Sequence, residues 1–197
     1  MCDIMNIDKL HEEVYVINNF LLPEELEEIY KIIDRASEND WFNQENKIKY
    51  YLSDFWFGKT LILDIDEKNT FKKINQKIYS LFDSYFDNKN EMYLQRYFKG
   101  DFISYHCDKS DYSVGSSGQN IAYGICLYYN DSYLGGELHY PDLGIVSKPV
   151  ANSLYIHHGK TFHGSLPVID DNIRYFSTSF IYETDDIPAI LSKELFK

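Results

Sequence analysis

The stretch "RYFKGDFISYHCD" at residues 96–108 joins two β-type runs through a short turn, and a histidine and an aspartate lie two positions apart near its end. Side chains at positions i and i+2 of a strand project to the same face of a sheet. His106 and Asp108 would therefore lie side by side, with Cys107 turned away as a small buried residue. Such a pair can bind one metal cation, although a polar strand with a spare histidine would show the same letters.

Short β-type runs continue from this stretch to residue 183, separated by turn signals. Regular short strands with such breaks are typical of a β-sandwich or a barrel. The 18 Tyr and 13 Phe residues fit this interpretation, because aromatic side chains favour half-buried pleated surfaces. The runs are "MYLQRYF", "FISYHCD", "IAYGICLYY", "GGELHYP", "SLYIHH" and "RYFSTSFIYE".

The preceding part of the chain predicts one strand and two helices. Residues 12–20 alternate like a strand, residues 21–40 predict a helix with Pro23 in its first turn, and residues 70–86 predict a second helix capped by Asn69 or Thr70. The tail 187–197 predicts a short helix. We expect a single domain, with a helical support at 1–90, a β core at 91–183 and a tail at 184–197.

Composition narrows the class of protein. The net charge of -12 over 197 residues disfavours tight binding to a nucleic-acid backbone, which needs clustered Lys and Arg. The 3 cysteines imply no disulfide framework. The first residues lack a signal-peptide pattern, and no apolar run is long enough to span a bilayer. The expectation is a cytoplasmic protein without a membrane partner.

A metal site needs a third ligand besides His106 and Asp108. A set of two histidines and one carboxylate leaves coordination positions open and is typical of non-haem Fe(II) oxygenases. Arg174, which opens a strongly β run, would suit a dicarboxylate cosubstrate beside such a metal, or else form a surface salt bridge. The candidates for the third ligand are His11, His139, His157, His158 and His163; His11 lies before the β-rich part, and at most one of the adjacent His157 and His158 would face inward.

The ordered motifs resemble those of the 2-oxoglutarate/Fe(II)-dependent dioxygenases, above all the prolyl 4-hydroxylase-like group. The motifs are "RYFKGDFISYHCD", then "YYNDSYLGGEL", then "HGSLPV", then an arginine followed by a β run. They lie within 93–182, and the opening "VYVINNFLLPEELEEI" extends the resemblance to nearly the whole chain. The resemblance implies an α+β, mainly β fold: a double-stranded β-helix core of the jelly-roll or cupin-like kind, with supporting N-terminal helices.

The resemblance also assigns roles to individual residues. Iron would be held by three ligands, the distal carboxylate of 2-oxoglutarate would be gripped by an arginine and a tyrosine hydroxyl, and a second tyrosine would line the cosubstrate pocket. Strand parity adds a threonine on the same face as the arginine. In that order the residues are His106, Asp108 and His163, then Arg174 and Tyr128, then Tyr97, and finally Thr178.

Three positions depart from the family pattern. Phe176 stands where the final strand more often has serine, and Asn152 stands where a glycine often precedes the strand leading to the distal histidine. The stretch "DDNIR" lacks the glycine that often sits just before the arginine. None of these positions belongs to the proposed iron ligands.

The expected reaction is the hydroxylation of a prolyl residue in a peptide or protein, with release of succinate and CO2. It would use Fe(II), 2-oxoglutarate and O2, with ascorbate as a further cofactor to test. The alternatives are a lysyl residue, a free amino acid or a small metabolite as substrate; nucleic-acid demethylation, which the charge disfavours; and a cupin-like metal-binding module without turnover. Residues 109–120 would form either a substrate lid or a solvated loop.

Overall fold

The computed structural model describes residues 6–43, 58–87, 91–109 and 120–196. Antiparallel strand pairs build an eight-stranded sheet, a four-stranded sheet and a separate two-stranded pair. The strands are Asn6–His11 (β1), Val14–Asn18 (β2), Trp41–Asn43 (β3), Lys59–Leu61 (β4), Phe82–Ser84 (β5), Tyr93–Tyr97 (β6), Ile103–His106 (β7), Ile121–Tyr128 (β8), Leu138–Tyr140 (β9), Ile145–Ser147 (β10), Ser153–His158 (β11), His163–Ser165 (β12), Arg174–Tyr182 (β13) and Ile190–Leu191 (β14). The α-helices are Pro23–Arg35 (α1) and Ile65–Tyr79 (α2), and short 3-10 helices lie at Glu38–Asp40, Pro141–Leu143 and Lys193–Phe196.

The two larger sheets face each other across a buried aromatic layer. The eight-stranded sheet has the order β1-β2-β11-β8-β13-β6-β4-β3, and the four-stranded sheet has the order β10-β9-β12-β7. Tyr128 and Phe176 of the first sheet pack in one cluster with Leu138 and Tyr140 of the second. This confirms a mainly β, antiparallel and jelly-roll-like fold, whose interior lies between the two sheets.

The opposite face of the eight-stranded sheet carries the helices. Ile29 of α1 and Ile78 of α2 lie in one buried cluster with Leu94, Ile125 and Leu127 of the sheet. Successive side chains of a strand point to opposite faces, so the neighbours of Ile125 and Leu127 in β8 point into the space between the sheets. Because both faces of β8 are covered, its register is fixed, since a slip of one residue would exchange the two sets of side chains.

The second helix differs from its prediction. It begins at Ile65 and ends at Tyr79, and Asp64 caps it by accepting hydrogen bonds from the backbone N–H groups of Asp66 and Glu67. Glu67 completes the capping box by accepting from the backbone N–H of Asp64 at 2.9 Å. The predicted caps Asn69 and Thr70 therefore lie inside the helix. The apolar spacing from residue 71 onward revealed the buried part of the helix but not its polar first turn.

The other predicted helices also differ from their predicted bounds. The first helix begins at Pro23 as predicted but stops at Arg35, and a 3-10 turn follows at Glu38–Asp40. The tail is not one helix: Ile190–Leu191 pairs with β5, and a 3-10 turn closes it. The tail adds a strand beside β5, and this pairing supplies hydrogen-bond partners for the backbone groups at the edge of β5.

Asn152 explains one departure from the family pattern. Its backbone has a φ of 60°, a left-handed conformation that glycine adopts freely and asparagine tolerates. Its side chain accepts a hydrogen bond from the N–H of Leu21 at 2.7 Å and donates one to the carbonyl of Leu21 at 2.9 Å. The asparagine thus keeps the turn before β11 and also ties it to the start of α1.

Within the described residues, no helix is both long enough and apolar enough to cross a lipid bilayer.

Candidate functional site

Neighbouring strands of the four-stranded sheet bring the predicted metal ligands together. His106 ends β7, His163 opens β12, and the two residues are direct partners in the ladder. Asp108 follows β7 by two positions. One ligand atom from each of the three residues lies within 4.8 Å of the other two. The set predicted from the sequence therefore forms one compact group of two imidazoles and one carboxylate.

Backbone carbonyls orient both imidazoles. Nδ1 of His106 lies 2.7 Å from the carbonyl oxygen of Ser104, and Nδ1 of His163 lies 2.9 Å from that of Thr161. A carbonyl oxygen accepts hydrogen bonds, so each Nδ1 carries the hydrogen and each Nε2 keeps a lone pair for a metal. Burial lowers the pKa of His163 to about 3, which keeps this imidazole neutral, as a metal ligand must be.

The Asp108 carboxylate is ionised and nearly enclosed. Its side chain is 8% exposed, with Oδ1 lying 3.4 Å from Nε2 of His106 and Oδ2 lying 2.9 Å from Nε2 of His157. Burial acts to raise the pKa of Asp108, but the close contacts of the carboxylate with the His106 and His157 imidazoles, and the nearby His163, outweigh it and hold the pKa below its ordinary value. Two imidazole nitrogens and one carboxylate oxygen, with the remaining positions open, are a donor set that fits Fe(II).

The other histidines lie elsewhere, except one. His11 accepts a hydrogen bond from the backbone of Glu13, His139 contacts the hydroxyl of Tyr105, and His158 packs against Tyr123. His157 reaches the site, where it contacts Asp108. In the sequence His157 is only a candidate ligand, and no local spacing predicts this hydrogen bond, since 49 residues separate the two positions.

Cys107 points away from the ligand atoms, as strand alternation predicts. Its thiol donates to the carbonyl of Lys160 at 3.2 Å. It is half-buried, so the expectation of a small buried residue was wrong. Cys107 follows the last residue of β7 and lies outside the strand ladder.

Arg174 is a buried cation with unused hydrogen-bond donors. It is 1% exposed, which rules out the surface salt bridge considered from the sequence. Its Nη2 donates to the hydroxyl of Tyr128 at 2.9 Å, whereas Nε and Nη1 have no partner in the part of the chain that the structure describes. A buried donor without a partner costs free energy, so a guanidinium in this state fits an anionic ligand.

Aromatic rings enclose the Arg174 guanidinium. Its central carbon lies 4.9 Å from the ring centroids of Tyr128 and Phe176, 5.3 Å from that of Tyr97 and 5.9 Å from that of Tyr133. Tyr97 and Tyr128 thus lie beside Arg174, and their contacts with a cosubstrate stay predictions. Phe176, at the position where serine is more usual, packs edge-on against Tyr97 and completes the wall.

Tyr133 is a further polar residue of this pocket that the sequence motifs do not include. Its side chain is buried, and its hydroxyl has no hydrogen-bond partner among the described residues. Burial raises its pKa to about 12, so the hydroxyl stays protonated and can donate. Lys148 holds the backbone beside it by donating to the carbonyls of Tyr133 and Gly135. With 18 tyrosines in the chain, no spacing singled this one out.

Strand β8 links the metal group to the arginine pocket. Gly124, Cys126 and Tyr128 share its inward face. A Cβ atom at Gly124 would lie 2.0 Å from Oδ2 of Asp108, while Tyr128 contacts Arg174. Cys126 lies between them, and its pKa is raised to about 12 by burial and by the Asp108 carboxylate, with Arg174 acting in the opposite sense. The two groups therefore open into the same interior.

Thr178 lies on this interior face of β13, as strand parity predicts. It pairs with Cys126 in the ladder, while Phe176 pairs with Tyr128. Phe176 thus stands between Thr178 and Arg174 along the strand, and a contact between Thr178 and a cosubstrate carboxylate stays a prediction. Residues 110–119, most of the expected lid or solvated loop at 109–120, lie outside the described residues.

The fold of this chain is similar to that of known proteins, although its sequence is not. No protein-family description matches the chain, and no curated protein matches it by sequence. Among solved structures, a prolyl hydroxylase from Trichoplax adhaerens in complex with a hypoxia inducible factor peptide has a TM-score of 0.67 at 15% identity, covering 86% of this chain and 83% of that one. The chain has the prolyl hydroxylase fold.

Two further structures agree with this fold. A prolyl-4-hydroxylase from Pseudomonas putida has a TM-score of 0.63 at 16% identity, covering 87% of this chain and 93% of that one. The viral collagen prolyl hydroxylase from Paramecium Bursaria Chlorella virus-1, in its 2-oxoglutarate complex, has a TM-score of 0.61 at 17% identity, with coverages of 86% and 96%. At these identities the likeness establishes the fold, and the chemistry has to be argued from the residues of this chain.

Proposed function

We propose that this protein is a 2-oxoglutarate- and Fe(II)-dependent hydroxylase. One observation carries the proposal: the same interior holds a group of two histidines and one aspartate, and a buried arginine that has two donors without a partner among the described residues. The first feature fits a metal with open positions, and the second fits the far carboxylate of a cosubstrate that chelates the metal. In this proposal the core is the double-stranded β-helix of the family.

Each residue would have a separate task. Nε2 of His106, Nε2 of His163 and Oδ1 of Asp108 would bind the iron. Fe(II) with 2-oxoglutarate supplies the activation of O2 for hydroxylation of an unactivated C–H bond, with release of succinate and CO2.

The arginine pocket would fix the other end of the cosubstrate. Arg174 would donate from Nε and Nη1 to the distal carboxylate, and the hydroxyls of Tyr128 and Tyr133 would donate to the same group. Tyr97 and Phe176 would exclude water from it, which strengthens these charged hydrogen bonds. The role of Thr178 would be a lesser contact on the same face.

A prolyl residue in a peptide or protein is the proposed substrate. Support comes from the likeness to prolyl hydroxylases, one of which was solved with a peptide bound. Lysyl residues, free amino acids and small metabolites remain the alternatives, and the net charge of -12 disfavours nucleic acid. The test is a succinate-release screen over proline-containing peptides, lysine-containing peptides, free amino acids and methylated oligonucleotides, with and without ascorbate. Mass spectrometry would then locate the added oxygen atom.

A metal-binding module without turnover is the second candidate function. Such a module has no need for the buried guanidinium of Arg174, which is only partly paired within the residues that the structure describes. The two candidates are separated by the melting temperature of the Mn(II)-loaded protein with and without 2-oxoglutarate. A rise on addition of 2-oxoglutarate supports the hydroxylase, and the absence of a rise supports the module.

A further inference from the structure

The two oxygens of the Asp108 carboxylate face different histidines. Oδ1 lies on the side of His106, at 3.4 Å from its Nε2, and Oδ2 lies 2.9 Å from Nε2 of His157. An ionised carboxylate accepts hydrogen bonds, so the hydrogen of this bond resides on Nε2 of His157. One oxygen is thus turned towards the metal ligands, and the other is held by a residue outside that group.

His157 is itself held in place. It lies on β11, an inner strand of the eight-stranded sheet, is 1% exposed, and its ring centroid lies 4.0 Å from that of His163. Its Nδ1 lies 3.4 Å from the hydroxyl of the buried Tyr140, which can donate to it. This sets the tautomer with the hydrogen on Nε2, as the contact with Asp108 requires.

The strand opposite His157 leaves room for this hydrogen bond. Gly124 is the partner of His157 in the β8–β11 ladder. A Cβ atom at Gly124 would lie 2.0 Å from Oδ2 of Asp108 and 2.3 Å from Nε2 of His157, closer than real Cβ contacts. Any side chain at position 124 would therefore force His157 and Asp108 apart. The hydrogen bond between them thus depends on β8, on β11 and on the segment that follows β7.

We propose that His157 is a positioning residue that holds Asp108 in a one-oxygen mode of metal binding, with Oδ1 on the metal and Oδ2 on His157. This inference rests on the proposed function. A carboxylate that is free to turn can place both oxygens on a metal. The second oxygen would then take a coordination position that the cosubstrate or oxygen needs, so the contact with His157 keeps that position open.

The experiment compares substitutions that keep or remove the donor. Glutamine at position 157 can place its amide near the Nε2 position, whereas leucine offers no donor at similar volume. His158→Leu is the matched control, because the neighbouring His158 is exposed and points to the other face. Co(II) and Mn(II) titrations give the metal affinity, and the visible spectrum of the Co(II) protein reports its coordination. The melting temperature of the metal-free protein checks folding.

His157→Leu is expected to weaken metal binding by roughly 10- to 100-fold and to change the Co(II) spectrum. His157→Gln should restore most of the affinity and the wild-type spectrum, and His158→Leu should change neither. If leucine prevents folding, His157→Asn decides: its shorter amide cannot reach Oδ2, so it should behave as predicted for leucine.

Failure of this inference is distinct from failure of the proposed function. If wild-type protein binds no metal, or binds it equally well after His106→Ala, the proposed function is wrong whatever position 157 does. If metal binding needs His106 but a folded His157→Leu or His157→Asn protein matches wild type in affinity and spectrum, the positioning role is overturned. A folded His157→Gln protein no better than the leucine variant also overturns it.

Discussion

Arg174→Met separates a cosubstrate clamp from a structural arginine. Methionine has a similar length and packs among aromatic rings, so the substitution removes charge and donors while filling most of the space. Among the described residues of the free protein, the buried Nε and Nη1 of Arg174 have no hydrogen-bond partner. Removing it therefore relieves an unpaired buried charge, offset by the loss of its contacts with the surrounding rings. We expect a melting temperature for the metal-free variant that is equal to or above that of wild type.

The same substitution should greatly weaken the binding of 2-oxoglutarate, although it leaves the stability of the protein unchanged or higher. The variant loses the two unpaired donors that would meet the distal carboxylate. A hydrogen bond to a charged group contributes about 1.5–3 kcal/mol, so the loss is about 3–6 kcal/mol, or roughly 10²- to 10⁴-fold in the Kd for 2-oxoglutarate.

Isothermal titration of the Mn(II)-loaded proteins with 2-oxoglutarate measures this loss, and thermal unfolding measures stability. Arg96→Met is the matched control. Arg96 is also buried, and its Nε has no partner within the described part of the chain, but the side chain pairs with Glu38 and lies over Trp41. This control should lose stability and keep its affinity for 2-oxoglutarate. Equal affinities for wild type and Arg174→Met would refute the assignment of Arg174 as the clamp.

Three further predictions concern single residues. Tyr133→Phe should raise the Kd for 2-oxoglutarate by roughly 5- to 30-fold, about 1–2 kcal/mol, without changing Mn(II) affinity, and an unchanged Kd would remove Tyr133 from the pocket. His163, with its pKa lowered from 6.5 to about 3, binds its proton less readily in the folded state, so its contribution to stability is complete above pH 6.5 and is lost as pH falls towards 3. Denaturant unfolding of the metal-free protein should show a loss of about 2 kcal/mol from this residue between about pH 7 and pH 5, absent in His163→Leu; equal slopes would contradict it. Asn152→Ala should cost about 2–3 kcal/mol in the free energy of unfolding and Asn152→Gly less, because alanine adds left-handed backbone strain to the two lost hydrogen bonds; equal costs would argue against the strain.

Local regularities made the metal group predictable. Parity along a strand places His106 and Asp108 on one side without reference to the rest of the fold, and the order of the later motifs adds His163 and Arg174. The same rule correctly places Thr178 on the interior face of β13. These predictions depend on spacing within a strand or on a motif that is continuous in the chain.

Contacts between strands that are far apart in the sequence could not be predicted from local spacing. The hydrogen bond from His157 to Asp108 depends on β11 and the end of β7 meeting in space, and the hydroxyl of Tyr133 becomes informative only when it is seen to be buried and unpaired. The start of α2 is a different case. Asp64 and Glu67 form a capping box that is visible in the sequence, but the apolar spacing from Phe71 onward placed the predicted start of the helix too late.

Succinate formation tests the central claim most directly. Wild-type protein, Asp108→Ala and the exposed-site control Asp142→Ala would be supplied with Fe(II), 2-oxoglutarate, O2 and proline-containing peptides. The proposed function predicts succinate and a peptide carrying one added oxygen atom from wild type and from Asp142→Ala, and neither product from Asp108→Ala. Equal succinate formation by Asp108→Ala, or none by wild type across the whole substrate screen, would contradict it.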